Sequence, residues 1–392
     1  MARAQGCGSL MLTRTSFIPG EMRLLGRFWQ SASGYWRGPT AWTAWLLVIA
    51  LIIDVVLQLL TQYGLNFWNR DFFNAIGRKD RAELLSLALR FLPLAAASIA
   101  LVVFSVWARM TLQRSWREWL SNRLYSDWLV DDRGPERSAI EGHHEAPEYR
   151  IAEDAKVATD LPVDLVNGLL QSVLTIATFV GVLWSVGGSL TVHFDGITLA
   201  IPGYLVFAVV AYSALLVIGI WLTAGRLTRV IEENKRMEAE LRAIGTHVRE
   251  TREGKVVQEA GINDRHAVGA ALKAVIAIWR IYCWQLMRMT LVTYTGLLVT
   301  PVVGLLLCLP KYLDDTMTLG EVVQASAAFV VVQTAFNWFT DNYTKLAEWT
   351  ASANRVAELL LALDVDRSPG AQASRRSITA GRTVPSGDEV PS

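Results

Sequence analysis

The chain is 392 residues long, 52% hydrophobic and 19% charged, with a net charge of +1. Soluble globular domains average about 25% charged residues, and here the deficit falls in long windows almost free of charge, which places the chain in the membrane class. The near-neutral balance excludes a nucleic-acid binder that relies on bulk attraction, and three scattered cysteines, Cys7, Cys283 and Cys308, give neither a disulfide framework nor a zinc spacing.

Residues 1–38 are expected to form an N-terminal cytoplasmic segment. They hold Arg3, Arg14, Arg23 and Arg27 together with Arg37, and no long apolar core of the kind a cleavable signal peptide needs. The first span is therefore its own insertion signal. A bilayer-crossing helix takes about 20 apolar residues, and residues 39–366 offer six. The first runs from about Trp42 to Gln62. The second covers about Leu84 to Trp107, with Pro93 as a kink. The third is about Pro162 to Val186 and the fourth about Ile201 to Thr223, each opening on a proline, Pro162 and Pro202. The fifth is about Met287 to Leu309. The sixth starts near Leu319 and leaves the apolar band near Phe339.

Cations orient the spans. The segment Gly187 to Ala200 has no Lys or Arg, and the one between spans five and six has only Lys311. By contrast, Arg109 to Leu161 carries eight and Ala224 to Leu286 carries eleven. Cytoplasmic loops collect Lys and Arg, so both basic loops and both termini are expected on the cytoplasmic side. The loop Tyr63 to Glu83, with Arg70, Arg78, Lys79 and Arg81, departs mildly from this pattern. Trp42, Trp45, Trp107, Trp184 and Trp221 fall near span ends, where amphipathic rings prefer the headgroup layer.

The basic loops are helical in composition. Arg226 to Arg252 is rich in Glu, Lys, Arg, Ala and Leu; Gly254, Gly261, Asn263 and Asp264 make a turn region; His266 to Met289 then runs into span five. Arg109 to Asp131 likewise prolongs span two, and Glu148 to Asp160 returns to span three. Two helical arms are thus expected to protrude, each on the order of 35–40 Å long, and such arms suit a device that receives force from a cytoplasmic motor.

Several segments carry a family resemblance over about Trp36 to Asp364. Leu65-Asn66-Phe67-Trp68-Asn69-Arg70-Asp71-Phe72-Phe73 resembles the segment after the first span of the SbmA/BacA-like ABC-type permeases, a group related to the vitamin B12 and peroxisomal fatty-acyl half-transporters. Arg150-Ile151-Ala152-Glu153-Asp154 is similar to its motif opening the third helix. Val248-Arg249-Glu250-Thr251-Arg252-Glu253 is similar to its charged stretch at the second cytoplasmic turn. Asp341-Asn342-Tyr343, Leu346-Ala347-Glu348-Trp349 and Ala351-Ser352-Ala353-Asn354-Arg355-Val356 resemble its sixth-helix exit.

The resemblance implies an all-α membrane protein of the ABC type-1 exporter kind: six transmembrane helices with long cytoplasmic extensions, working as a homodimer in the inner membrane. It implies that Arg249, Glu250, Arg252, Glu253, Glu153 and Asp154 couple the membrane part to nucleotide-binding domains. The sequence departs from the group after Asp366, where 367–392 reads as a disordered Ser/Gly/Arg/Pro tail. It contains no G-x-x-x-x-G-K-[ST] phosphate loop. ATP and Mg are therefore expected on a partner domain, whether on a separate chain or lost by truncation, unless a proton gradient drives transport as in SbmA and BacA. A peptide or a cobalamin-like compound is the substrate class that the resemblance suggests.

Ionisable and polar groups inside spans are costly and usually face a partner or water. Asp54 in span one and Arg90 in span two are read either as an ion pair or, for Asp54, as a proton site. Gln333, Asn337 and Asp341, spaced by four, share one helix face. These five are the candidate substrate pathway, with an interhelical polar seam as the alternative. His143 and His144, between Glu141 and Glu145, read as a solvated surface. No catalytic or metal-binding pattern is found, so no enzyme is expected.

Overall fold

The computed structural model describes residues 26, 32–38, 41–129, 147–194, 197–225, 227–253 and 262–366. The expectations placed on 1–25, on His143 and His144, on the Gly254–Gly261 turn and on 367–392 lie outside the described residues. A single 3-10 turn, Ser33–Trp36, precedes the first long helix. Then come α1 (Ala41–Arg78), α2 (Arg81–Leu129), and α3 (Ala155–Gly187), which is preceded by the helical turn Pro147–Tyr149 and a π-helical turn Arg150–Asp154. A hairpin of β1 (Ser189–Phe194) and β2 (Ile197–Pro202) follows, then α4 (Tyr204–Ala224), α5 (Leu227–Arg252), α6 (Ile262–Leu313), α7 (Leu319–Phe336) and α8 (Trp338–Asp366). Among the described residues, six helical segments are long and apolar enough to cross a membrane, α7 and α8 counting together as one.

Three expectations change, at the loop after span one, at Pro202 and at Pro162, and two features are added, a β-hairpin and a joint in span six. The charged stretch after span one is not a loop, because α1 stays helical to Arg78. Its aromatic side chains stack along the helix, Tyr63 on Phe67 at 4.6 Å and Trp68 on Phe72 at 4.9 Å between ring centroids. The reversal takes only Lys79, in the left-handed region at φ 59°, and Asp80. The Asp80 carboxylate accepts from the backbone N–H groups of Ala82 and Glu83 at 3.0 and 3.1 Å, capping α2.

The cation-free segment after span three is a β-hairpin, with Ser189 opposite Pro202 and Phe194 opposite Ile197. Pro202 accordingly ends a strand and does not open span four. Gly188 and Gly203, at φ 57° and 63°, turn the chain at the hairpin base, where the Gly203 N–H donates to the Gly188 carbonyl at 2.8 Å. Pro162 lies inside α3, because the helix already begins upstream of it. The sixth span is jointed at Asn337.

The chain divides into two compact units. The first combines residues 1–55, 102–167 and 342–392. Its core sets Leu112, Trp116, Leu120 and Leu124 of α2 against Ile151, Ala155 and Ala158 and against Ala353, Val356, Ala357 and Leu360 of α8. Fully buried alanines let helix backbones approach closely. Tyr35 is buried in this core, its ring 6.4 Å from that of Trp116, and burial raises its phenol above the usual value. The second unit combines 56–101 and 168–341. Its core gathers Phe179, Val182 and Leu183 of α3, Leu205 and Val209 of α4, Cys308 of α6, and Val322, Ala325, Ala328, Phe329 and Val332 of α7.

Candidate functional site

The long helices of the first unit are tied by polar contacts that begin at the π-helical turn. An α-helix repeats every 3.6 residues, so adjacent side chains diverge by about 100°. Of the neighbouring acids Glu153 and Asp154, the first is exposed and the second is buried. Two donors of Arg355 on α8 reach the Asp154 carboxylate, Nε to Oδ2 at 2.8 Å and Nη2 to Oδ1 at 2.6 Å. Nη2 also donates to the Ser352 hydroxyl at 3.0 Å. This is the fork-on-fork geometry that only a guanidinium supplies. Arg150 lies 3.8 Å from Glu358, one turn further along α8.

On the other side of α3, Arg109 of α2 bonds Asp164 at 2.9 Å, and the Gln113 amide donates to the Asp160 carbonyl at 2.9 Å. Arg117 donates to the Ala152 carbonyl at 3.3 Å. The segment 150–164 is thus held from α2 and from α8 by separate sets of side chains. Arg355 was legible only as part of a motif. The structure shows it to be the counter-ion of Asp154.

In the second unit, α5 packs against α6. Its 26 residues give an arm of about 39 Å. Arg249 and Glu253 form an i,i+4 pair at 3.9 Å and both stay exposed at the arm end, while Glu250 is half-buried and Arg252 closes the helix. Exposed pairs of this kind add little to stability.

The polar residues of the spans separate by burial. Asp54 on α1 is 1% exposed and belongs to the first unit; Arg90 on α2 is exposed and belongs to the second. Gln333 is buried, Asn337 is half-buried at the α7–α8 joint, and Asp341 is exposed. The joint keeps helical bonding, with the Asn337 N–H on the Thr334 carbonyl at 3.1 Å and the Asp341 N–H on the Asn337 carbonyl at 3.0 Å. The three residues therefore stay in helical register while passing from a buried to an exposed setting.

Two residues that sequence reasoning gave no role join this set. Gln324 on α7 is fully buried, and its side-chain amide has no hydrogen-bond partner among the described residues. Asn66 of α1 donates to the backbone carbonyl of Gln324 at 3.1 Å, yet its own Oδ1 is unpartnered. Gln324 lies nine residues before Gln333, about 180° around the helix. A reading based on an i,i+4 stripe looks only at one face and passes over it; a scan for amides within the apolar window would have found it.

Comparison with known proteins agrees with this architecture. Residues 37–313 match the family model of the ABC transporter transmembrane region 2. The chain is 28% identical over 353 residues to the inner membrane ABC transporter ATP-binding protein YddA of Escherichia coli, covering 87% of this chain and 61% of that protein. It is 24% identical over 331 residues to an ABC transporter ATP-binding protein of Synechocystis, covering 82% of this chain and 47% of the other. ABC transporter D family member 2 of Arabidopsis thaliana matches at 24% over 191 residues, 47% of this chain and 26% of that protein. The chain thus spans about half to three-fifths of the length of the first two relatives. It is a multi-pass membrane protein and belongs to the ABC transporter transmembrane region 2 family.

Proposed function

We propose that this chain is the permease part of an ABC-type transporter. It moves its substrate across the inner membrane with ATP and Mg handled on a nucleotide-binding domain outside these 392 residues, and two copies form one pathway. The observation that supports this reading most is the arm of α5 and α6, whose far end exposes the Arg249–Glu253 pair. An exposed charged tip on a stiff lever suits docking to a partner that moves. The names of the E. coli and Synechocystis relatives, both ATP-binding proteins longer than this chain, point the same way. In this reading Glu153, Arg249, Glu250, Arg252 and Glu253 face the partner, while Asp154 holds α8 in place. Gln333, Asn337 and Asp341 line the substrate route, and a peptide or cobalamin-like compound is its cargo.

The test combines this chain with a nucleotide-binding subunit in proteoliposomes. Chemical crosslinking should trap a species of about twice 43.5 kDa. The chain alone should leave MgATP unhydrolysed, and the combined system should transport in an ATP-dependent way. Glu253→Arg should weaken that coupling without reducing the folded yield. A fully active monomer, or coupling indifferent to the arm tip, would refute the reading.

The burial of Asp54 favours a second reading, proton-driven peptide uptake of the SbmA/BacA type. Uptake by the lone chain would then follow an imposed proton gradient, ignore ATP, and vanish in Asp54→Asn, which cannot take up and release a proton.

A further inference from the structure

From Arg265 to Leu313, α6 holds Arg265, Lys273, Arg280, Arg288 and Lys311 and not one Asp or Glu. Lys311 is engaged, its Nζ donating to the Gly187 carbonyl at 2.7 Å. Arg280 and Arg288 are exposed and have no ion-pair partner among the described residues. With Trp284 between them at spacings of four, they stand in one row along the helix. The Arg288 guanidinium carbon lies 5.7 Å from the Trp284 ring centroid. Trp279 and Trp284 are each 57% exposed, and Ile281 and Met287 are exposed beside them. The rotation of the helix is fixed: Gln285 is buried, and its amide donates to the Thr223 carbonyl of α4. The row therefore cannot turn into the unit.

Position along the helix says what meets the row. Arg288 lies 23 residues from Lys311 and Arg280 lies 31, so at 1.5 Å per residue they stand about 35 and about 46 Å from it. The hydrocarbon core is about 30 Å thick, and the bilayer with its headgroups about 40–45 Å. With Lys311 at the outer edge of one headgroup layer, Arg288 and Arg280 bracket the opposite layer. Tryptophan prefers that layer, and a guanidinium pairs with phosphate through a planar fork. A second copy docked symmetrically along the same row would set arginine against arginine, which disfavours that occupant.

We propose that Arg280, Trp284 and Arg288 form a binding site for the phosphate of an anionic phospholipid, held where the arm leaves the membrane. The site depends on the six-span architecture and not on how transport is energised.

The exposed Cys283, next to Trp284 and beside the row, supplies a reporter. The full chain carrying Cys7→Ser is labelled at Cys283 with a fluorophore, Cys308 being buried. It is placed in phosphatidylcholine nanodiscs containing acyl-brominated phosphatidylglycerol or brominated phosphatidylcholine at matched mole fraction. Quenching should report enrichment of the anionic lipid by about thirtyfold, the size two surface cations supply. R280Q/R288Q should abolish the enrichment, and R280K/R288K should keep part of it. R265Q, outside the row, should leave it intact. Equal quenching by the two lipids in the otherwise native chain overturns the proposal whatever the variants do. So does enrichment that survives R280Q/R288Q, or crosslinking of Cys283 to a second copy with neither lipid quenching.

Discussion

Removing Arg355 should be among the most damaging single changes in the first unit. Its two donors are 2.8 and 2.6 Å from a carboxylate whose side chain is only 3% exposed. Losing one member of a buried pair costs about 3–5 kcal/mol, because the other charge is left desolvated. Arg355 itself is 37% exposed, so water can reach the gap and screening brings the cost to the lower end of that range or just below it, about 2–3 kcal/mol for Arg355→Ala. Arg355→Lys keeps the charge and loses the fork, so a cost of about 1 kcal/mol is expected. Asp154→Asn combined with Arg355→Met removes both charges and should fall well short of the sum of the two single costs. Equilibrium unfolding of the purified chain in one detergent, followed through the tryptophans and analysed as a double-mutant cycle, gives the coupling. Additive costs, or an Arg355→Ala variant within about 0.5 kcal/mol of the native chain, would refute the ion pair as the tie between the π-helical turn and α8.

Two further predictions concern the second unit. A Cβ at Gly320 would collide with the Arg70 carbonyl and the Asn74 side chain, whose Oδ1 accepts from the Gly320 N–H at 2.9 Å; Gly320→Ala should therefore cost about 1–3 kcal/mol as an overpacked contact, read in the same unfolding assay, whereas Gly245→Ala, which meets nothing within 4 Å, should be neutral or stabilising. For the proposed orientation, a membrane-impermeant maleimide should label Thr198→Cys in the hairpin on intact cells and Gly245→Cys on α5 only after permeabilisation; the opposite order would invert the topology.

The spans were legible because each depends on local composition: an apolar window of about 20 residues needs no distant partner to declare itself. The boundaries failed where charge stood for loop. Residues 65–76 contain neither Gly nor Pro, so nothing in them stops a helix, and their charged and aromatic side chains simply decorate its continuation beyond the apolar band. The hairpin had a readable signal, Asp195-Gly196 between β-branched and apolar residues, but a window scaled to a helix averages over a period of two. Pro202 then looked like a helix opener because the strand before it was not seen.

The functional residues were harder to read for a different reason. Glu153 and Asp154 carry the same charge and sit side by side, and nothing local says which is buried; that is decided by Arg355, 201 residues away. Gln324 is fixed by Asn66 at a separation of 258. These pairings exist only after the helices have assembled. They also change the meaning of the sixth span. A single polar stripe describes a helix with one wet face and one lipid face. Here Gln324 and Gln333 are both buried on opposite sides of α7, and half of the most apolar stretch of this span is buried, against 6% for the second span. A buried amide in hydrocarbon costs several kcal/mol unless protein or water satisfies it. A helix that carries such groups on two sides is therefore an interior wall with little lipid contact, and Asn337 places its joint at the point where that wall passes from buried to exposed surroundings.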